Sequence, residues 1–114
     1  MEAALLVGIG GAVGASGRYL TGVALDAYPS SITTVTVNVI GSFVLGLLTF
    51  AAVGSDLALF VGVGVCGAYT TFSSFSFQTV DLWRRGRPGY AVLYAVGNFG
   101  LAVCAVAVAY LLVG

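Results

Sequence analysis

Residues 67–76 read Gly-Ala-Tyr-Thr-Thr-Phe-Ser-Ser-Phe-Ser, placing five hydroxyl side chains and a tyrosine inside a stretch otherwise built from Val, Leu, Gly and Phe. Thr and Ser compete with the helix for backbone hydrogen bonds, and Gly62, Gly64 and Gly67 just upstream weaken helical preference. A break in the helix is therefore expected here. Such a break frees carbonyl oxygens for a cation and N–H groups for an anion. Phe72 and Phe75 lie three apart and share a face if the helix resumes, and an aromatic edge is weakly positive. Asn38, with Thr34 and Ser42 one turn to either side, supplies an amide, and Tyr94 and Asn98 are paired one turn apart. Donors that replace part of an ion's water without trapping it are what conduction requires. The plainer alternatives are an interhelical amide contact, worth about 0.6 kcal/mol on average, and a core-packed Phe pair.

The rest of the chain says where these groups sit. Of 114 residues, 60% are hydrophobic and only 7% charged, with mean hydropathy +1.09, against about 25% charge in a soluble domain. Charges are absent from 3–17, 27–55, 57–80 and 88–114, each close to or beyond the roughly 20 residues that a spanning helix needs. We expect an all-α membrane protein of one domain, 1–114, with spans at about 3–25, 31–53, 57–80 and 89–112, the third broken near its middle. Pro29 with Ser30 or Ser31 starts span two, Gly54-Ser55-Asp56 makes the second connection, and 81–88 the third. Trp83, Tyr28, Tyr90 and Tyr110 suit the headgroup region.

The same composition excludes several classes. There is no His, and every acidic residue lies at or near a span end, so no carboxylate pair, triad or His-based metal site can be assembled. We expect no enzyme. Nucleic-acid binding lacks its basic patch, because Arg84, Arg85 and Arg87 share one short loop. Glu2 with no basic residue near it does not read as a signal-peptide start. Cys66 and Cys104 fall inside spans and read as small hydrophobes. Seventeen Gly point to close helix packing, within the chain and between chains, with Gly10 and Gly14 as one small-xxx-small pair and Gly97, Gly100 and Ala105 thinning span four. Arg18, toward the end of span one, reads as a snorkelling structural residue or as part of a vestibule.

The stretches GGAVGASGRYL (10–20), NVIGSFVLG (38–46) and GVCGAYTTFSSFS (64–76) resemble the signature segments of the Fluc/CrcB fluoride channels, and the likeness covers essentially the whole chain. The resemblance implies passive, fluoride-selective efflux across the cell membrane, protecting the cell from accumulated fluoride. It also implies an antiparallel dual-topology dimer of four-helix subunits with two pores. A structural Na⁺ would be held by the carbonyls of Gly67 and Thr70. Phe72, Phe75, Asn38, Thr71 and Ser73 would line the pathway, completed by Tyr94 and by Asn98, where the family pattern leads one to expect Ser. Ala68 and Ser74 also depart mildly from that pattern.

All four Arg fall toward the side of loops one and three, which the positive-inside rule makes cytoplasmic. Such a bias sits badly with dual topology, so the partner is either a second copy or an oppositely oriented paralogue. Two other readings compete. A non-conducting membrane subunit explains Asn38 and Asn98 but not the hydroxyl string. A small multidrug-resistance exchanger needs a carboxylate within span one, where only the terminal Glu2 is on offer.

Overall fold

The computed structural model describes residues 2–114, which form helices and short connections with no strand among them. Helices α1 (Ala3–Ala24) and α2 (Ser30–Phe50) are the first two spans. The third, Ser55–Arg84, is composite. It starts as α3 (Ser55–Leu57), widens into a π-helix (Ala58–Cys66), tightens again as α4 (Gly67–Tyr69), breaks, and resumes as α5 (Ser73–Arg84). Helix α6 (Pro88–Val113) is the fourth. All four spans are long and apolar enough to cross a membrane, and the long axis of 49 Å compares with about 40–45 Å for a bilayer with its headgroups.

Each boundary has a local cause. Pro29, extended at ψ 149°, precedes the first turn of α2, and Pro88 opens α6, where its missing N–H costs nothing. Helix α2 stops at Phe50, short of the expected 53, because the chain turns through Ala52 at φ 53°. That is left-handed backbone on a residue with a Cβ. The third span outruns its expected end at 80. Asp81 and Arg85 pair at 2.9 Å one turn apart, carrying the helix through Trp83 to Arg84. Gly86 at φ 78° then closes it, its N–H donating to the Trp83 carbonyl while that of Arg87 donates to Leu82. This is the Schellman pattern that glycine permits.

Lipid gives helices no hydrophobic reason to associate, so contact depends on small residues that let backbones approach. Helix α1 lies along the π-helix and α4, α2 along α6, and α5 against α6. A methyl group at Gly14 would overlap the Val65 carbonyl, and one at Gly64 would sit 2.8 Å from the Gly10 Cα and 2.9 Å from the Val7 carbonyl oxygen. Gly10 and Gly14 are thus packing residues within the chain. Gly46 does the same for α2, where an added methyl would meet the Ala109 Cβ at 2.9 Å. Gly97 and Gly100 differ: neither has a neighbour within 4 Å of a Cβ position, and Phe99 between them is exposed, so this strip of α6 is uncovered by its own chain. The few fully buried side chains are small, Val37, Ala91 and Ala109 among them.

Gly64→Val should cost about 1–3 kcal/mol through overpacking and shift purified protein from a single elution peak toward aggregate. Gly8→Ala, with nothing within 4 Å, should elute like the parent.

Candidate functional site

The break at 70–72 organises the interior. Thr70 is extended (φ −76°, ψ 161°), and Phe72 returns to helical angles just before α5. The freed backbone of Thr71 is taken over by Asn38 on α2: the Thr71 N–H donates to Oδ1 at 2.8 Å, and Nδ2 donates to the Thr71 carbonyl at 3.1 Å. One amide side chain thus does for Thr71 what a neighbouring strand would do. The Thr71 hydroxyl caps α5 by accepting the Ser74 N–H at 3.2 Å.

These two substitutions leave specific acceptors free. In a continuous helix the Gly67 carbonyl would receive the Thr71 N–H and the Thr70 carbonyl the Ser74 N–H. Both donors are engaged elsewhere. Gly67 and Thr70 both line a groove of about 760 Å³ shared with Asn38, Ser42, Phe75 and Asn98. Among the described residues no three His, Cys, Asp or Glu come together; the oxygens that line this groove belong to the backbone, hydroxyls and the Asn38 and Asn98 amides.

A second cavity of about 520 Å³ opens on the other side of the break, with Arg18, Asp26, Ser30, Thr34, Ser73 and Gln78 around it. Thr71 is 7% exposed and borders both cavities. The break is the wall between them.

Three rings run alongside. Phe72 and Phe75 have centroids 5.9 Å apart at 50°, and Phe75 and Tyr94 5.7 Å apart at 35°. Phe75 and Tyr94 are half-buried between α5 and α6, whereas Phe72, preceding the helix, is 79% exposed in the single chain. Asn98 is 5% exposed, borders the larger groove, and its Nδ2 has no hydrogen-bond partner. Arg18 is half-buried at the edge of the smaller cavity, and Ser73, exposed, stands 3.4 Å from the Thr71 hydroxyl. Arg18, Thr71 and Ser73 therefore share the smaller cavity, while Asn38 and Asn98 border the larger one only.

Two contacts go beyond the sequence reading. Tyr69 bonds Thr21 at 2.8 Å, fixing the end of α4 to α1. Gln78 accepts the Tyr94 hydroxyl and donates to the Ser30 Oγ at 3.3 Å, joining three spans. Its position one turn beyond Phe75 was the available signal, and a lone Gln near a helix end is easily passed over as surface.

Fold and site define the class: a polytopic membrane protein whose third span is interrupted at mid-depth, with an amide from span two holding the gap and a cavity on each side. The particular family follows from comparison. The family described as "CrcB-like protein, Camphor Resistance (CrcB)" matches residues 5–110, and the chain belongs to it. It is similar to the fluoride-specific ion channel FluC 2 of Haloarcula marismortui, 51% identical over 96% of this chain and 92% of the relative. FluC 1 of Halobacterium salinarum is 48% identical over the same shares. FluC of Prosthecochloris aestuarii is 42% identical over 85% of this chain and 81% of that protein.

Asn38→Ala strands the buried N–H and carbonyl of Thr71, a penalty of about 1–3 kcal/mol for each unpaired group. Its melting temperature, followed by light scattering in detergent, should drop clearly. Ser42→Ala, on the same helix face but with no hydrogen bond to lose, should stay within about 0.5 kcal/mol of the parent.

Proposed function

We propose that this chain is a subunit of a fluoride-selective channel in the cell membrane, releasing fluoride passively down its electrochemical gradient. The observation that carries this is Thr71, buried and bordering both cavities, its backbone pinned by Asn38. The names of the relatives agree with it. A small anion entering the smaller cavity meets Arg18 and the hydroxyls of Thr71 and Ser73. It then passes the Asn38 amide and the edges of Phe72 and Phe75, with Tyr94 and Asn98 contributing donors from span four. Neutral donors and ring edges replace lost water only partly, which permits exit as well as entry. The absence of any acidic residue deep in a span accords with passive flow rather than proton coupling.

Na⁺ is the structural ion of this reading, held by the Gly67 and Thr70 carbonyls. Oxygen-only ligation suits a hard cation, and these are the two carbonyls whose helical donors are diverted. When bound, the ion supplies fixed positive charge at the break. Both residues border a groove open at the surface of the single chain, which accords with the second, antiparallel subunit that the family resemblance implies. Arg18, Arg84, Arg85 and Arg87 all lie toward one end, the end at which Gln78 reaches Ser30. A strong bias of this kind orients a chain with that end cytoplasmic, which favours an oppositely oriented paralogue over a second copy as partner.

Liposomes containing the chain, with and without the co-expressed paralogue, should release fluoride and retain chloride in one of those two arms. Phe75→Ile should cut release at least about tenfold without dissociating the dimer, and replacing Na⁺ by an organic cation should slow it. Chloride release at the same rate, or indifference to both changes, would remove the channel assignment. A reporter fused to the C-terminus should be found outside in nearly all copies. Equal numbers on both sides, with full flux from the chain alone, would replace the paralogue by a second copy.

A further inference from the structure

Tyr69 stands between Gly67 and Thr70, the two residues whose carbonyls lose their helical donors. Helix α4, which carries it, is a single turn of three residues, Gly67–Tyr69. One turn makes too few hydrogen bonds to hold its own backbone in place, so the direction of those carbonyls is set from outside. Asn38 fixes the downstream side at Thr71. On the upstream side the tie to another span is Tyr69, whose hydroxyl meets Oγ1 of Thr21 on α1 at 2.8 Å. Thr21 has one O–H, and it donates to the Gly17 carbonyl at 2.9 Å. The Tyr69 O–H is therefore the donor and Thr21 Oγ1 the acceptor.

The ring is held as well as its tip. A methyl group at Gly17 would stand 3.4 Å from Tyr69 Cδ1, and one at Gly41 would stand 3.7 Å from Cδ2. The ring thus occupies a slot between α1 and α2 with a glycine on each side. Gly41 also seats Thr70, because a methyl group there would overlap the Thr70 Cγ2. Both donors of Thr70, its N–H and its O–H, go back to the Cys66 carbonyl at 3.0 Å. The tyrosine tip, the threonine methyl and the two carbonyls belong to one short stretch of chain, so a turn of α4 about its axis would move them together. Groups that orient the ligands of a metal ion affect its affinity without touching it.

Resting on the Na⁺ assignment proposed above, we propose that Tyr69, tethered to Thr21, is a positioning residue for the cation site: it sets how tightly the chain holds Na⁺ by fixing the direction of the Gly67 and Thr70 carbonyls. Tyr69→Phe is the cleanest probe. It keeps the ring in its slot and removes only the O–H, and Thr21 still has the Gly17 carbonyl as its partner. The test is thermal melting of the detergent-purified channel, with whichever partner the parent requires, as NaCl replaces N-methylglucamine chloride at constant ionic strength. An ion bound only by the folded state raises the melting temperature once its concentration passes the dissociation constant, so the onset of the rise reports affinity. We expect Tyr69→Phe to move that onset to at least about threefold higher Na⁺. Thr21→Val should move it in the same direction, and the double variant no further than the larger of the two, since both act through one hydrogen bond. Thr49→Val removes a hydroxyl bonded to the Leu45 carbonyl of its own helix and should leave the onset where it is. Fluoride release by Tyr69→Phe should be slow at low Na⁺ and return to the parental rate at high Na⁺. A Tyr69→Phe protein that melts lower by the same amount at every Na⁺ concentration, with the parental onset, would make Tyr69 a packing residue and overturn the proposal while leaving the Na⁺ assignment intact. A parent whose melting ignores Na⁺ would overturn both.

Discussion

The two hydrogen bonds between Asn38 and Thr71 are the constraint on which the rest of the structure depends. A bilayer offers no water to an interrupted helix, so unpaired backbone at that depth is tolerated only where protein or an aqueous cavity satisfies it. Asn38 satisfies both groups of one residue, at 2.8 and 3.1 Å, and in doing so diverts the Thr71 N–H from Gly67. The Thr71 hydroxyl diverts the Ser74 N–H from Thr70 in the same way. One amide and one hydroxyl therefore hold the break, and the Gly67 and Thr70 carbonyls on the upstream side lose their helical donors as a consequence. Removing the break would remove the carbonyl pair, the aromatic register and the wall between the two cavities together.

The glycines serve that break from a distance. With Gly10 and Gly14 of α1 set against Phe60, Gly64 and Val65, the first half of span three is anchored by backbone-to-backbone contact rather than by interlocking side chains. The π-helical turns fall in this stretch, Ala58–Cys66. π-bulges often accompany functional sites, and here the widened helix delivers Gly67 and Thr70 to the groove. Tyr69 bonded to Thr21 then fixes the last turn. By contrast, Gly97 and Gly100 meet nothing within the chain, and together with exposed Phe72 and Phe99 they mark a surface that the single subunit leaves uncovered.

Much of this was legible in the residues. Charge spacing disclosed four spans because lipid forbids unpaired charge over about 20 residues, and the hydroxyl string after three glycines disclosed the break. The end of span three was misjudged because Asp81 and the arginines read as a loop, whereas an ion pair and a Schellman cap on Gly86 extend the helix through them. The π-helix leaves no periodic trace in a run as uniformly apolar as 58–66. Gln78 left only one local sign, its place one turn beyond Phe75, because the partners it joins stand 16 and 48 residues away in sequence and carry no local pattern.

An anion pathway through a membrane faces opposite demands. A cationic side chain directly in the path would bind the ion and hold it, while a purely apolar path would exclude it. In this chain the single cation near the pathway, Arg18, stands at the edge of the smaller cavity with Asp26 to balance it. On the proposed reading, the side chains beyond it that meet the ion carry no net charge: hydroxyls, the Asn38 amide, ring edges and the unpartnered Nδ2 of Asn98. Each replaces a fraction of a water's hydrogen bonding, and none replaces all of it. Such weak donors discriminate only if their direction is fixed, since a hydroxyl free to rotate serves water as readily as an anion. Fixing direction is what the amide of Asn38 does, since it leaves Thr71 no choice of partner for its backbone. On the proposed reading, orientation of neutral dipoles takes the place of charged side chains, and lets the pathway prefer an anion without retaining it.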